Sequence, residues 1–68
     1  MSDVHNMTQK ELDAVPHRDA KVLKLYFGLD GNREHTLQEI GGMLGVTRER
    51  VRQLRDRTLK RLRAEGVL

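Results

Sequence analysis

Cysteine and tryptophan are absent from this chain of 68 residues, and proline occurs only once. Without thiols the chain can form neither a disulfide framework nor a thiolate metal site, and nothing indicates an oxidising compartment. No apolar run is long enough to span a membrane, and the polar N-terminus lacks the apolar centre of a signal peptide. We therefore expect a cytoplasmic protein with a thin core of packed helices, since so short a chain buries only about 60% of its surface.

Aromatic residues and catalytic groupings are equally scarce. Tyr26 and Phe27 are the only aromatic side chains, too few for a platform that stacks single-stranded nucleic acid. The three histidines are scattered along the chain, whereas metal ligands converge and usually have Cys or carboxylate partners at short spacing. Gly41 and Gly42 lie in a predicted helix rather than after a strand, so they do not indicate a phosphate-binding loop. We predict no enzyme activity, metal, cofactor or small-molecule substrate.

The charge of the chain is distributed unevenly. The formal net charge is +3 and the sequence pI is about 9.8, with the basic residues concentrated in the C-terminal third. This asymmetry indicates a polyanionic partner. A charged helix considered alone is more often a solvated surface of ion pairs. Whether it binds a polyanion must therefore be judged from the fold that the neighbouring residues predict.

Residues 36–62 contain the strongest structural pattern. Thr36 and Glu39 form a capping box that starts a helix at residue 37, and Gly45 supplies the left-handed conformation that ends it. Thr47 is a second N-cap, and residues 48–63 contain neither Gly nor Pro and consist mainly of good helix formers. Two helices joined by a turn of about three residues with a glycine are typical of a helix-turn-helix.

The apolar positions of this segment support the same arrangement. We expect a small shared core of Ile40, Leu44, Val46, Val51 and Leu54. Gly41 is expected to let the second helix cross closely over the first. At about 100° per residue, the inner arc of the second helix consists of Val51, Leu54, Thr58 and Leu62, with Leu59 at its edge. The outer arc consists of Glu49, Arg52, Gln53, Asp56 and Lys60.

The residues before this segment predict supporting helices. Thr8 and Glu11 form a capping box for a short helix that ends near residue 15, and Pro16 lies in the first turn of a longer one that ends at Gly28. The inner surface of the longer helix is expected to contain Ala20, Val22, Leu23, Tyr26 and Phe27. Its outer surface is expected to contain Arg18, Asp19, Lys21 and Lys24. Leu29 is expected to fold back onto this helix after Gly28.

These elements predict an all-α fold, a small bundle of about four helices with a C-terminal helix-turn-helix and a long recognition helix. Residues 1–7 are predicted to be a disordered or frayed N-terminus, and residues 8–68 a single domain. The first two turns of the last helix present Arg48, Glu49, Arg52 and Gln53, and a recognition helix contacts base edges through these turns. Arg suits guanine, Gln suits adenine, and Glu accepts from the amino group of cytosine. The pattern favours sequence-specific binding of duplex DNA.

Five segments of the sequence match one known family. They are K-V-L-K-L (21–25), F-G-L-D (27–30), H-T-L-Q-E-I-G (35–41), G-V-T-R-E-R-V-R-Q (45–53) and L-K-R-L-R (59–63). Through them, residues 18–63 resemble region 4, the C-terminal DNA-binding domain of the housekeeping class of bacterial RNA polymerase sigma factors. The resemblance implies a domain that recognises the −35 promoter element as duplex DNA during transcription initiation. It also implies that the β-subunit flap holds the domain on RNA polymerase, with activators or anti-sigma factors as further partners.

The resemblance assigns roles to individual residues. Positions matching Arg48, Glu49 and Gln53 contact bases in the family, and the position of Arg52 contacts both backbone and base edges. Positions matching Arg18 and Thr36 contact phosphates. We also assign phosphate contacts to Thr47, Arg50 and Arg57. Residues assigned to the polymerase flap are Leu23, Phe27 and Leu29, with burial in the protein's own core as the alternative.

The sequence departs from the family pattern at several positions. Tyr26 stands where Arg is common, which removes a phosphate contact, and Arg55 stands where the family usually has Glu, which alters the charge beside the surface used by activators. Residues 64–68 replace a longer basic tail, and the upstream sigma regions are not in this sequence, so we expect either an excised domain or a diverged stand-alone relative. Two alternatives are a helix-turn-helix domain of another transcription regulator and a protein-interaction module that binds the β flap or an anti-sigma factor, with weak DNA binding.

Overall fold

The computed structural model describes Val4 and residues 7–66, apart from the side chain of Gln9. Within these residues it contains four helices and no strand: α1 (Gln9–Asp13), α2 (His17–Phe27), α3 (Leu37–Leu44) and α4 (Arg48–Ala64). The predicted all-α bundle is confirmed. Over the same residues, no helix combines the length and the apolar character needed to cross a membrane.

Three of the helices begin where the sequence places N-caps. The backbone N–H groups of Thr8 and Thr36 donate to the side chains of the glutamates three residues later, at 3.0 and 2.9 Å. The glutamate N–H groups donate in return to the threonine hydroxyls, at 3.2 and 3.1 Å. At the start of α4, the Arg50 N–H donates to the Thr47 hydroxyl at 3.1 Å. Each contact satisfies an N–H group that would otherwise have no partner within the helix, so these starts are encoded locally.

The ends of α2 and α3 also follow the prediction. Gly28 and Gly45 adopt left-handed conformations with φ of 69° and 72°. Beyond Gly28, the Leu29 N–H donates to the Lys24 carbonyl oxygen at 2.8 Å, and the Leu29 side chain folds back into the protein. The start of α2 differs by one position: Pro16, with ψ of 143°, is the N-cap and lies outside the first turn because its backbone is extended.

A first apolar cluster lies beneath the helix-turn-helix. Its buried members are Val22, Leu25, Ile40, Val51 and Leu54. Tyr26, Leu37, Leu44 and Val46 pack against its edge. The shared core predicted from the helix-turn-helix is therefore confirmed, and α2 closes it from below. Leu25 is an addition, since the sequence pattern did not place it on the inner surface of α2.

A second apolar cluster joins the far end of α4 to the N-terminal helices. Its buried members are Val15, Ala20, Leu23 and Leu62, and Met7, Phe27 and Leu59 pack against them. Of the segment predicted to be frayed, residues 1–3, 5 and 6 lie outside the described residues, while Val4 is buried. Because α4 contributes to both clusters, it is fixed at both ends.

Asp19 corrects the predicted outer surface of α2. Its side chain is only 8% exposed, and its carboxylate oxygens accept hydrogen bonds from Arg57 Nη2 on α4 at 3.3 and 3.4 Å. A carboxylate can be buried at modest cost when a cation and hydrogen bonds compensate it, which is the physical reason for the difference. Of the other residues predicted on this surface, Arg18 and Lys21 are exposed, and Lys24 is half-buried beside Asp30.

Gly41 sets the close approach of α3 to the start of α4. A Cβ atom at this position would lie 2.7 Å from the Val46 carbonyl oxygen and 3.4 Å from the Arg48 nitrogen. The first distance is shorter than a non-bonded carbon and oxygen can tolerate, so only glycine fits without a shift of the backbone. The predicted close crossing is confirmed, but the contact is with the backbone of the turn.

Candidate nucleic-acid interface

The first turns of α4 present a polar surface to solvent. Val51 and Leu54 are buried in the first cluster, and residues on the opposite arc of the helix must therefore point away from the core. Glu49, Arg52 and Gln53 are all exposed. No other helix of the described chain covers this trio, so a partner can reach it.

Two carboxylates of the same helix hold Arg52. Its Nε donates to both Glu49 carboxylate oxygens at 3.1 and 3.0 Å, and its Nη1 donates to Asp56 Oδ2 at 2.9 Å. The hydrogen bonds that Arg52 donates to Glu49 hold the pKa of the Glu49 carboxyl below its usual value and raise the pKa of Arg52. All three groups are therefore charged near neutral pH, and without DNA they satisfy one another.

A further contact links Asp56 to α2. The Arg55 Nε donates to Asp56 Oδ1 at 2.9 Å, and this bond is the main reason that the pKa of Asp56 is lowered. The Arg55 guanidinium also lies over the Tyr26 ring, 4.9 Å from its centre, in a cation–π contact. Tyr26 and Arg55, the two positions expected to depart from the family pattern, thus contact each other. Asp56 was predicted only as a member of the outer arc, although its position four residues after Arg52 was the available signal.

Three other predicted DNA-contacting side chains of this surface form no hydrogen bond in the described structure. Arg48, Arg50 and Gln53 are exposed, and their side chains form no hydrogen bond or ion pair with the described residues. A cation or amide in this state can bind a phosphate or a base edge without first losing a protein contact. These side chains therefore differ from Arg52, which must exchange one partner for another.

Thr36 and Thr47 lie at the exposed N-termini of α3 and α4. Each hydroxyl accepts a hydrogen bond from its own helix, which leaves its hydrogen free to donate to a phosphate oxygen. At α3, the Glu39 carboxylate occupies the Thr36 N–H, and this bond, assisted by Arg33, lowers the pKa of Glu39. Arg33 Nη2 lies 3.2 Å from Glu39 Oε2 and offsets its negative charge.

Two further arginines were assigned to phosphates from the sequence. Arg18 is exposed in the first turn of α2. Arg57 is 59% exposed but donates to Asp19, an interhelical partner that the sequence pattern did not predict. Arg57 can therefore contact a phosphate only by sharing or leaving this carboxylate.

The residues assigned to the polymerase flap have different exposures. Leu23 is fully buried and Leu29 almost so, so neither offers surface to a partner in this arrangement, and the core alternative describes both. Phe27 is half-buried and packs edge-to-face against Tyr26, with ring centroids 4.9 Å apart. Of the three, only Phe27 has a side chain that is exposed enough for a partner to contact.

The described residues do not support a metal site. None of their His, Cys, Asp and Glu side chains form a group of three or more that could hold a metal ion. His35 has a structural role: its N–H donates to the Leu25 carbonyl oxygen at 2.8 Å, and its Nδ1 lies 2.8 Å from the Arg33 carbonyl oxygen. These contacts fix the loop before α3 against α2.

Comparisons with known proteins agree with this arrangement. The family model described as Sigma-70, region 4 matches residues 11–64. The chain is 44% identical over 62 residues to the RNA polymerase sigma factor RpoD of Neisseria gonorrhoeae, covering 91% of this chain and 10% of that protein. It is 50% identical over 52 residues to the RNA polymerase sigma factor SigA of Bacillus sp, covering 76% of this chain and 14% of that protein. The chain thus spans a small part of these relatives, and the resemblance to the housekeeping class is confirmed.

Proposed function

Since the chain belongs to the Sigma-70, region 4 family, we propose that it recognises the −35 promoter element as duplex DNA. It does so as part of a sigma factor that directs RNA polymerase in transcription initiation. The partners are promoter DNA and the polymerase core, held through the β-subunit flap, and the place of action is the cytoplasm. Binding and positioning describe the whole of this function, which contains no catalytic step.

The exposure of Glu49, Arg52 and Gln53 on one arc of α4 carries the proposal. The major groove of B-DNA is about 12 Å wide and admits an α-helix. In the proposed complex α4 lies in this groove, with Arg48 beside the trio at its N-terminal end. Family −35 sequences resemble TTGACA, whose G, A and C in the two strands suit Arg, Gln and Glu.

The phosphate contacts would fix the register of α4 in the groove. The Thr36 and Thr47 hydroxyl hydrogens and the positive ends of α3 and α4 are suited to phosphate oxygens of the DNA backbone. Arg18 and Arg50 add exposed positive charge. These groups carry no sequence information, so their loss should weaken binding equally on all duplexes.

The polymerase contact is the second part of the proposal. Phe27 lies at the partly exposed edge of the second cluster, on α2 rather than on the DNA-facing arc of α4. A β-flap segment bound there would leave the trio free for DNA. In this arrangement Leu23 supports Phe27 from inside the second cluster, and neither Leu23 nor the buried Leu29 touches the flap.

A fluorescence anisotropy titration of a −35 duplex tests the proposal with the full chain, with and without a purified β-flap fragment. Gln53→Ala should cost about 1 to 3 kcal/mol of binding free energy and relax discrimination at one base pair, because a bidentate base contact is lost. Gln38→Ala is the matched control, since it removes an exposed glutamine from α3 instead of α4. Equal losses for Gln53→Ala on promoter and scrambled duplexes would contradict base contact.

The same titrations separate the two alternatives. A regulator unrelated to polymerase would bind its duplex with an affinity indifferent to the flap fragment. A protein-interaction module with weak DNA binding would show little dependence on salt, because each phosphate contact steepens the loss of affinity with salt concentration.

A further inference from the structure

Asp56 lies one turn beyond Arg52 on the exposed arc of α4 and contacts it directly. We propose that Asp56 is a positioning residue that keeps Arg52 aligned along the helix and away from additional phosphates, and so increases discrimination between promoter and other DNA. This inference rests on the proposed function. It adds a specificity role for a residue that neither the motif nor the base-contacting set includes.

The hydrogen-bond donors of Arg52 show what Asp56 contributes. Nε and Nη2 of Arg52 donate to Glu49, while Nη1 donates to Asp56. When Glu49 turns toward a cytosine amino group, the Nε edge of Arg52 is released toward the bases, and Asp56 is the remaining protein partner. A guanidinium group that is held at one edge can present its other edge to a base. A guanidinium group without such a contact can turn to the nearest phosphate.

The Asp56 carboxylate is itself fixed in place. Its Oδ1 accepts from Arg55 at 2.9 Å and its Oδ2 from Arg52 at 2.9 Å, so one oxygen serves each arginine. Arg55 is only 19% exposed and packs over the Tyr26 ring of α2. Through this chain of contacts, the orientation of Arg52 is tied to the neighbouring helix and not only to its own flexible side chain.

Charge acts in the same direction. Asp56 places a carboxylate on the surface of α4 that faces DNA in the proposed complex, and a carboxylate repels phosphates at any sequence. Base contacts by Glu49 and Gln53 are available only on the correct sequence. Asp56 therefore lowers the affinity for DNA of any sequence, but on the promoter the base contacts recover part of this loss. The ratio of promoter affinity to affinity for other DNA rises as a result.

The test measures the salt dependence of binding by the full chain on a promoter duplex and on a scrambled duplex. Asp56→Asn should release Arg52 to one additional phosphate on scrambled DNA, which steepens the slope of log affinity against log salt by about 0.9. Between 50 and 200 mM salt this corresponds to about a threefold larger loss of affinity. The ratio of promoter to scrambled affinity should fall, and Asp56→Glu, which keeps the charge, should retain both wild-type values.

The chain offers a matched control at the other end of α4. Glu65 accepts a hydrogen bond from Arg61 at 3.1 Å in a similarly exposed pair with the same spacing. This pair lies about two and a half helical turns further on and therefore on the opposite side of α4. Glu65→Gln removes the same charge and releases an arginine, but should leave the slope and the affinity ratio unchanged.

A double-mutant cycle shows whether Asp56 acts through Arg52. In the Arg52→Ala background, Asp56→Asn should change the slope much less, because no guanidinium is left to release and only the direct repulsion between the carboxylate and the phosphates is removed. An unchanged slope for Asp56→Asn alone, or the same change with and without Arg52, would overturn the inference. The slopes measured on the scrambled duplex are enough to test the role of Asp56. A wild-type chain that failed to prefer the promoter over the scrambled duplex would instead refute the proposed function.

Discussion

Replacing Gly41 by alanine measures how much the close approach of α3 to the turn contributes to this fold. The added Cβ would lie 2.7 Å from the Val46 carbonyl oxygen, a backbone atom that cannot move without shifting the start of α4. Overpacking of this kind costs about 1 to 3 kcal/mol. Alanine in a helix recovers about 1 kcal/mol relative to glycine, so the net effect on the free energy of unfolding should be a loss of up to about 2 kcal/mol.

Gly42 supplies the control, because it lies in the same helix and a Cβ there would meet nothing within 4 Å. Gly42→Ala should stabilise the protein by about 1 kcal/mol through helix propensity alone. The two variants have the same composition, and should differ by about 1 to 3 kcal/mol. For a domain of this size each kcal/mol corresponds to about 4 to 8 °C in melting temperature.

Thermal and urea denaturation followed by circular dichroism would measure this difference on the full chain. DNA affinity adds a second readout, since a shifted turn moves Arg48 and the base-contacting residues that follow it. Gly41→Ala should therefore lose promoter affinity even under conditions where it is fully folded, whereas Gly42→Ala should not. If the two alanine variants melted together and bound DNA equally, the steric account of Gly41 would be wrong.

The remaining predictions concern the core, the interhelical ion pair and a helix cap. Val51→Asp should unfold the domain, because a buried unpaired charge costs several kcal/mol and so small a core supplies only about 3 to 5 kcal/mol; an unchanged melting temperature would refute the core assignment. Asp19→Asn should cost about 1 kcal/mol, at the low end for a charged pair because Arg57 is largely exposed, and the loss should shrink at high salt. The lowered pKa of Glu39 means that its contribution to stability is present above pH 4.5, the ordinary pKa of this carboxyl, and is lost as pH falls through the folded value; Glu39→Gln should flatten that part of a pH titration of melting temperature.

Features encoded within four residues along the chain were predictable. The Thr8 and Thr36 capping boxes and the left-handed glycine at position 45 depend on hydrogen bonds or backbone conformations that the local sequence determines. The inward arc of α4 followed from helical periodicity alone, since Val51 and Leu54 are apolar and the opposite arc is charged. These signals were enough to give the number of helices and the orientation of the trio.

Features that depend on contacts between helices were not predictable in the same way. Asp19 was assigned to the outer surface because it is charged, and its burial depends on Arg57, which lies 38 residues away. Leu25 was missed because the loop before α3, anchored through His35, and the first cluster together cover a surface that periodicity left outside. The contact between Tyr26 and Arg55 likewise requires the crossing of α2 and α4, which one sequence does not specify.

The two clusters at opposite ends of α4 set how accurately the helix is aligned. Its 17 residues form a rod roughly 25 Å long, held near Leu62 at one end and near Val51 at the other. A tilt of about 5° about the Leu62 end would sweep the first turn through roughly 2 Å, several times the tolerance of about 0.5 Å within which a precise recognition site works. Because both ends are packed, a partner bound beside Phe27 could reach the tip that faces the groove in the proposed complex only by shifting both clusters. The alignment of that tip is therefore a property of the whole bundle.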